Sequence, residues 1–489
     1  MKQLLTALCV VALAICMTGT ALAETQSVKV SGDLEVKGIA RQAYTYQKSP
    51  NEADVTRVGI QSDWQNWFMS NTEVQIDADL TDNVSTTVRL VNTRDWNVSG
   101  KAIAQGTALA NYGRGGYAAV ANEFDVLVDL AYVDLKDFIY QPLTLSVGRQ
   151  DLWVGKGFIV GANQQSPQGT ITAVEYTPIN SFDSVKAVLD YDPWTITGIY
   201  SKIFENAIQA DDDVDLYGLN VGYIFDQYNA DIEGYWFWKS DKEVERWAGI
   251  KSDNEVHTLG LRTSVDPIED LTLNLEAAWQ GGQYAGHRSQ VNNRGRSAYA
   301  IDASAEWRYF TEKFAWKPVV GVEYILYSGN EAEQRPNLAA GDYEGWDPMY
   351  RGKYDTAIRE FVGRFYASAS YPAKGAGADE LLTFSDASFT NQHQIIARGS
   401  IEPVESLLLE GVYAAFYTHR DIIGPDFQER GGSIGQEVDL QATWDYTEDV
   451  SFGLLTGWFF PGHIYDRPTL QDNFNSVASD LVGTMKVSF

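Results

Sequence analysis

The chain has 489 residues, with 66 acidic against 37 basic side chains and a formal net charge of −29. That balance excludes sequence-independent nucleic-acid binding, which needs surplus Lys and Arg to displace phosphate counterions. An aromatic content of 13% excludes a disordered coil. Beyond the first residues no stretch reaches the roughly 18 consecutive apolar residues of a membrane-spanning helix. Membrane-spanning strands escape that test, because their apolar residues alternate with polar ones.

The first element, residues 1–23, reads MKQLLTALCVVALAICMTGTALA. Lys2 supplies a basic start, Leu4 to Met17 an apolar run too short to span, and Ala21-Leu22-Ala23 a small-residue cleavage site. This pattern predicts a bacterial secretory leader of the Sec type, leaving residues 24–489 as one mature domain. Both cysteines, Cys9 and Cys16, fall in the leader, so the mature chain has no thiol for a disulfide or a thiolate-bound metal.

The elements that follow repeat one pattern of period two over about ten residues. From Asn71 to Leu80, Thr72, Val74, Ile76, Ala78 and Leu80 oppose Asn71, Glu73, Gln75, Asp77 and Asp79. From Ser297 to Phe310, Tyr299, Ile301, Ala303, Ala305, Trp307 and Tyr309 oppose Asp302, Ser304, Glu306 and Arg308. From Glu437 to Tyr446, Val438, Leu440, Ala442, Trp444 and Tyr446 oppose Glu437, Asp439, Gln441, Thr443 and Asp445. The last strand places Val477, Leu481, Met485, Val487 and Phe489 on one face. Short turns near 81–83, 137–142, 192–193, 226–228, 266–270, 311–315, 403–406 and 447–449 alternate with longer connections. The longer ones fall near 48–63, 97–122, 155–183, 205–213, 239–253, 285–296, 329–391, 419–434 and 461–476. Regular alternation of short and long predicts an all-β, antiparallel transmembrane barrel of about 18 strands, with periplasmic turns and extracellular loops.

Aromatic residues fall near both ends of these strands: Tyr191, Trp194, Phe310, Tyr446 and Phe489 by the short turns, and Tyr46, Trp67, Trp96, Trp238 and Trp458 by the long loops. Two interfacial belts would place them so, although strand propensity also enriches aromatics.

A wide barrel cannot fill its interior with apolar side chains, so charged residues on the polar face are candidates for the pore lining. By parity the basic ones are Arg41, Arg89, Lys186, Arg262, Arg308, Lys317 and Arg398. The acidic ones are Glu73, Asp77, Asp231, Glu233, Glu276, Asp302, Glu306, Glu323, Glu410, Glu437 and Asp439. Leu143, Leu145 and Val147 share odd parity but Leu152 and Val154 even parity. A bulge at Gly148 would turn Arg149 and Asp151 into the lumen. On any one of these residues, cross-strand pairing that stiffens the wall competes with a role in selectivity. The list holds more acids than bases and predicts weak cation selectivity.

The connection 329–391 is too long for an ordinary loop and contains Trp346, Tyr350, Arg351, Tyr354, Arg359, Phe361, Arg364, Phe365 and Tyr366. It reads either as a segment folded into the pore mouth, with Arg351, Arg359 and Arg364 as a basic patch, or as an external cap. Asp211-Asp212-Asp213 and Asp215 read as a solvated acidic loop, since the Gly and terminal Glu of a calcium-hand loop are absent.

Four stretches carry a resemblance: Ala131-Tyr132-Val133-Asp134-Leu135, the Gly-rich run Leu145 to Gly161 containing Val147-Gly148-Arg149-Gln150, Ser181-Phe182-Asp183-Ser184-Val185, and Asp82 to Trp96. Together they resemble the alginate export family over roughly residues 64–205. The resemblance implies an 18-stranded outer-membrane channel for an anionic polysaccharide, with Arg89 and Arg149 lining the polymer path. It also implies a monomer, whereas general porins are often trimers. The C-terminal strand ending in Phe489 resembles the signal by which outer-membrane barrels engage their assembly machinery. Outer-membrane lipid, lipopolysaccharide and the transported solute are the other expected partners.

Catalysis finds no motif. His257, His287, His393, His419 and His463 are dispersed, without H-E-x-x-H or G-x-S-x-G. No catalytic residue, metal ligand or cofactor is expected. A porin-like channel is therefore the leading reading. Its rivals are a docking barrel that holds a partner such as an electron carrier, and an outer-membrane hydrolase.

Overall fold

The computed structural model describes residues 27–43, 64–96, 126–163, 174–205, 213–242, 254–284, 294–308, 313–330, 341–361, 389–423, 429–465 and 476–489. Residues 1–23, expected to be a leader, and Tyr46, Phe310, Arg364 and Asp211-Asp212 lie outside them.

Eighteen antiparallel strands form one closed sheet. In chain order they are β1 (Ser27–Gln42), β2 (Trp64–Thr81), β3 (Val84–Asp95), β4 (Leu127–Leu135), β5 (Leu143–Gln150), β6 (Phe182–Asp190), β7 (Trp194–Phe204), β8 (Val214–Phe225) and β9 (Ala230–Asp241). There follow β10 (Asn254–Ile268), β11 (Leu271–Tyr284), β12 (Arg294–Trp307), β13 (Val319–Tyr327), β14 (Gln392–Val404), β15 (Leu407–Thr418), β16 (Ser433–Asp445), β17 (Val450–Pro461) and β18 (Ala478–Ser488). Each strand pairs with its chain neighbours, and β18 closes on β1 in a register running from Asp33↔Ser488 to Gln42↔Ser479. Phe489 extends the seam by exchanging backbone hydrogen bonds with Gly32. Closure leaves no unpaired edge, which is the condition for a sheet to sit in hydrocarbon.

The period-two alternation sorts side chains onto the two surfaces. Outward-facing Val30, Ile76, Val147, Leu259, Leu261, Val322, Leu440, Leu454 and Leu481 are exposed and apolar. An exposed aromatic girdle rims the short-turn end: Trp194, Phe225, Tyr228, Trp307, Trp316, Trp444, Tyr446 and Phe489. Trp64, Phe68, Trp96, Trp236, Trp279, Tyr299 and Phe460 are exposed nearer the long-loop end. Trp67 is a correction to the belt. It pairs with buried Ile39 and lies under the Arg41 guanidinium at 5.2 Å, on the inner surface.

A second correction concerns Gly148. The β4–β5 ladder runs from Ala131↔Arg149 to Leu135↔Leu145 without a shift, so no extra residue is inserted there. The register break lies across the other edge of β4, where consecutive Arg89 and Leu90 of β3 pair with Leu130 and Val128 and leave Asp129 as the extra residue. Gly148 instead takes φ +129°, and a Cβ there would strike the Ala131 carbonyl. Glycine is required because the close approach and the positive φ both exclude a side chain.

Candidate channel constriction

Two segments from the long-loop end fold into the barrel. Residues 341–361 touch strands around more than a third of the wall. Asp347 pairs with Lys239 on β9 at 2.6 Å and Gln280 on β11 donates to the Asp347 carbonyl. Lys353 reaches Asp302 on β12 and Glu323 on β13, and Asp355 receives Arg398 of β14. Residues 357–359 bond to β16. A segment touching β9 through β16 by their polar faces lies across the interior of the barrel over its described part.

Residues 151–163 run alongside it. Tyr350 N donates to the Ile159 carbonyl, and Gly161 and Ala162 donate back to Tyr350. Gly352 and Lys353 donate to Gly157. The two backbones meet where Gly161 faces Gly352, a contact too close for any Cβ. Leu152, Phe158, Ile159, Val160, Trp346, Met349, Tyr350 and Ile358 pack with Phe182, Phe237, Tyr327, Phe416 and Phe459 of the wall. This apolar plug fixes the loops despite the wet lumen, since burying each large side chain contributes about 1.5–3 kcal/mol.

A third inward piece, Val174–Tyr176, sits against the opposite wall. Glu175 pairs with Arg41, which also reaches Asp480 at 3.3 Å, and Tyr176 donates to the same Asp480 oxygen at 3.3 Å. The connection between β5 and β6 therefore contributes to both sides of the lumen.

Between these segments the walls carry charges in contact with one another. On one side Arg89 bonds Asp129 and reaches Asp151 at 3.4 Å, with Glu73 at 3.9 Å. On the other, Arg262 lies between Asp231 (2.7 Å) and Glu233, and Arg398 between Glu323 (2.6 Å) and Asp355 (2.5 Å). Lys353 bridges Asp302, Glu323 and Asp355. Burial alone would depress the Lys353 ammonium, but those three carboxylates lift it above the usual lysine range. Lys156 donates to Ser304 at 3.4 Å. Its pKa is lowered by burial and then by the charge of Lys353 beside it.

Each remaining candidate has a defined place. Glu276 accepts from the Tyr235 hydroxyl at 2.8 Å, and Asp77 accepts from Thr87 and Gln75. Glu410 pairs in register with Ser400 and Gln441 on the inner surface. Glu437 and Asp439 do not stand free in the lumen; they hold the backbone of residues 357–359.

Arg149 donates to Ser181 at 3.0 Å and to Asp183, in a row shared with Ala131 and Lys202. Among the described residues it touches the lumen network through Ser181, which donates to Asp129. Glu306 and Arg308 pair with each other at the short-turn rim, far along β12 from Asp302. Lys317 pairs with Glu402 at that same rim.

The two described members of the expected basic patch do not line the pore. Arg351 and Arg359 are both fully buried. The Arg351 guanidinium is boxed by Phe158, Tyr327 and Phe389 at 5.0, 5.6 and 4.9 Å and bonded to Asp355 at 3.0 Å. Aromatic faces attract such a cation once water is excluded.

Sequence reasoning missed Lys156, Glu175, Lys353 and Asp355. The glycines at 155, 157 and 161, interleaved with Phe158-Ile159-Val160, were the available signal for an inward fold. On the outer surface Tyr299 and Tyr324 bond His419 and His393, whose rings lie 5.4 Å apart, although 26 positions separate them in sequence.

A closed barrel with an apolar exterior, aromatic rims and a polar interior narrowed by inward loops is a porin-type outer-membrane channel. The chain is similar in fold to Acinetobacter baumannii OccAB1, with TM-score 0.54, 9% identity, and coverage of 96% of this chain and 99% of that one. It is likewise similar to A. baumannii OccAB3 (TM-score 0.54, 10% identity, 95% and 100% covered). Pseudomonas aeruginosa OccK8 (OprE) gives TM-score 0.52 at 9% identity, with 95% and 98% covered. No curated protein sequence matches the chain. The family described as alginate export matches residues 54–477, and the chain belongs to that family. Family and fold are those of channels rather than enzymes.

Proposed function

We propose that this protein is a passive diffusion channel of the Gram-negative outer membrane that prefers neutral and cationic hydrophilic solutes to polyanions. One observation carries the reading. At the constriction the cations Lys156, Arg262, Lys353 and Arg398 are outnumbered by Asp231, Glu233, Asp302, Glu323 and Asp355. The guanidinium groups and Lys353 are each held between carboxylates, so little positive potential is left for a passing uronate. Fixed charge at such range biases which ions enter. An exported glycan compatible with this lining is uncharged or carries few carboxylates.

In this reading, residues 1–23 direct Sec-type export, Phe489 serves recognition by the barrel assembly machinery, and the pore-lining set consists of Glu73, Arg89, Asp151, Lys156, Arg262, Asp302, Glu323, Lys353 and Arg398. The test is the reversal potential of the purified barrel in a planar bilayer under a KCl gradient. Cation selectivity is expected, and clear anion selectivity would refute the reading.

A further inference from the structure

The backbone amides of residues 355–359 all donate to carboxylates. Glu360 Oε2 accepts from Asp355 and, at 3.2 Å, from Thr356. Asp439 Oδ2 accepts from Ala357 at 3.0 Å. Glu437 accepts from Ile358 on one oxygen at 2.5 Å and from Arg359 on the other at 2.8 Å. Glu437 and Asp439 are two residues apart on β16 and buried, at 0% and 5% exposure. Two neighbouring carboxylates are costly to bury unless donors satisfy them, and the donors here come from the inward segment.

The two ends of that segment are held differently. Near Tyr343 it is fixed by backbone pairing: Tyr343 N donates to Gly295 and Ser297 N to Tyr343, while the Tyr343 ring stacks on Tyr284 at 3.7 Å. Near Ile358 the β16 carboxylates supply the polar contacts. There Ala357 and Ile358 seat over Gly457 of β17, where a Cβ would lie 3.4 Å from Ala357 Cβ and 3.3 Å from Ile358 Cδ1.

We propose that Glu437 and Asp439 are positioning residues, a clasp by which β16 holds the far end of segment 341–361 across the lumen and so sets the bore. The proposal rests on that segment being the constriction. Glu437 is the stronger half, because both of its oxygens are engaged. An amide offers one acceptor and turns its NH2 toward the second N–H. Glu360 is different: one oxygen does its accepting, so Gln can replace it.

The experiment uses the full chain with Glu437→Gln, Asp439→Asn, both together, and Glu360→Gln as control, each folded as judged by circular dichroism. Ile358→Cys in each background reports the position of the segment through labelling by a water-soluble maleimide. The native cysteines lie in the leader, leaving this the single thiol of the mature chain. Labelling is expected to accelerate about fivefold for each hydrogen bond lost in the Glu437 and Asp439 variants, with little change for Glu360→Gln.

Single-channel conductance of the double variant is expected to rise in step with the labelling. Unchanged labelling in the double variant overturns the clasp, as does equal release by Glu360→Gln. Faster labelling without a rise in conductance upholds the clasp and refutes instead the reading of 341–361 as the constriction.

Discussion

Neutralising Asp302 and Glu323 together removes two carboxylates from the narrow part of the channel while leaving Lys353 and Arg398 in place. A unit charge roughly 7 Å from the path of an ion in water is worth about 0.6 kcal/mol, and screening at 0.1 M salt roughly halves that. Cation and anion respond with opposite sign, so each carboxylate removed shifts their ratio by about 0.6 kcal/mol and the pair by about 1.2 kcal/mol. That corresponds to roughly eightfold in the permeability ratio, enough to turn a weak cation preference into a weak anion preference. Asp302→Asn with Glu323→Gln should therefore reverse the sign of the zero-current potential under a KCl gradient. Ser304, beside both carboxylates, gives a control that changes no charge when replaced by Ala. A zero-current potential that stays at the wild-type value would refute the electrostatic reasoning, because it would mean that ions pass out of reach of this wall.

Three further outcomes are expected. Burial and then the charge of Asp355 raise the Glu360 carboxyl to about 7. Its Oε1 lacks a partner among the described residues, so a proton can sit there while Oε2 goes on accepting. A raised acid takes up a proton as it becomes buried, so docking of the segment strengthens as pH falls from about 7 toward the ordinary value of 4.5 and is independent of pH above that window. Conductance should fall on acidification across that window, and Glu360→Gln should flatten the profile. Arg351→Met removes the cation between three rings and should loosen the plug by about 1–3 kcal/mol, seen as increased open-channel current noise with the barrel melting temperature nearly unchanged. Gly148→Val forces a side chain into the Ala131 carbonyl and should cut the yield of folded barrel, measured by refolding into lipid vesicles.

The architecture was legible because a membrane barrel writes its geometry into the chain. Period-two alternation and the beat of short turns and long loops located the strands and the closing seam without tertiary information. Parity also brought Arg262, Glu276, Asp302, Glu323 and Asp439 to the inner surface, and their neighbours then follow from the register, as in Arg262↔Glu276↔Asp302. The contents of the lumen were harder to read. Arg351 has the composition of a pore-lining residue, but its environment is set by Phe158 and Phe389, which are distant in sequence. Lys156 and Lys353 were passed over because loop residues have no parity. Arg149 was misjudged because Leu152 and Val154, taken as lipid-facing, lie beyond the end of β5 and pack in the inward plug, so the change of parity needs no inserted residue.

The central claim is that segment 341–361 narrows an otherwise open, water-filled barrel. Single-channel conductance of the full-length protein, compared with a variant lacking residues 345–370, tests it most directly. Discrete steps are expected for the intact protein and clearly larger ones after the deletion. Equal steps in a deletion variant whose barrel has folded would contradict it.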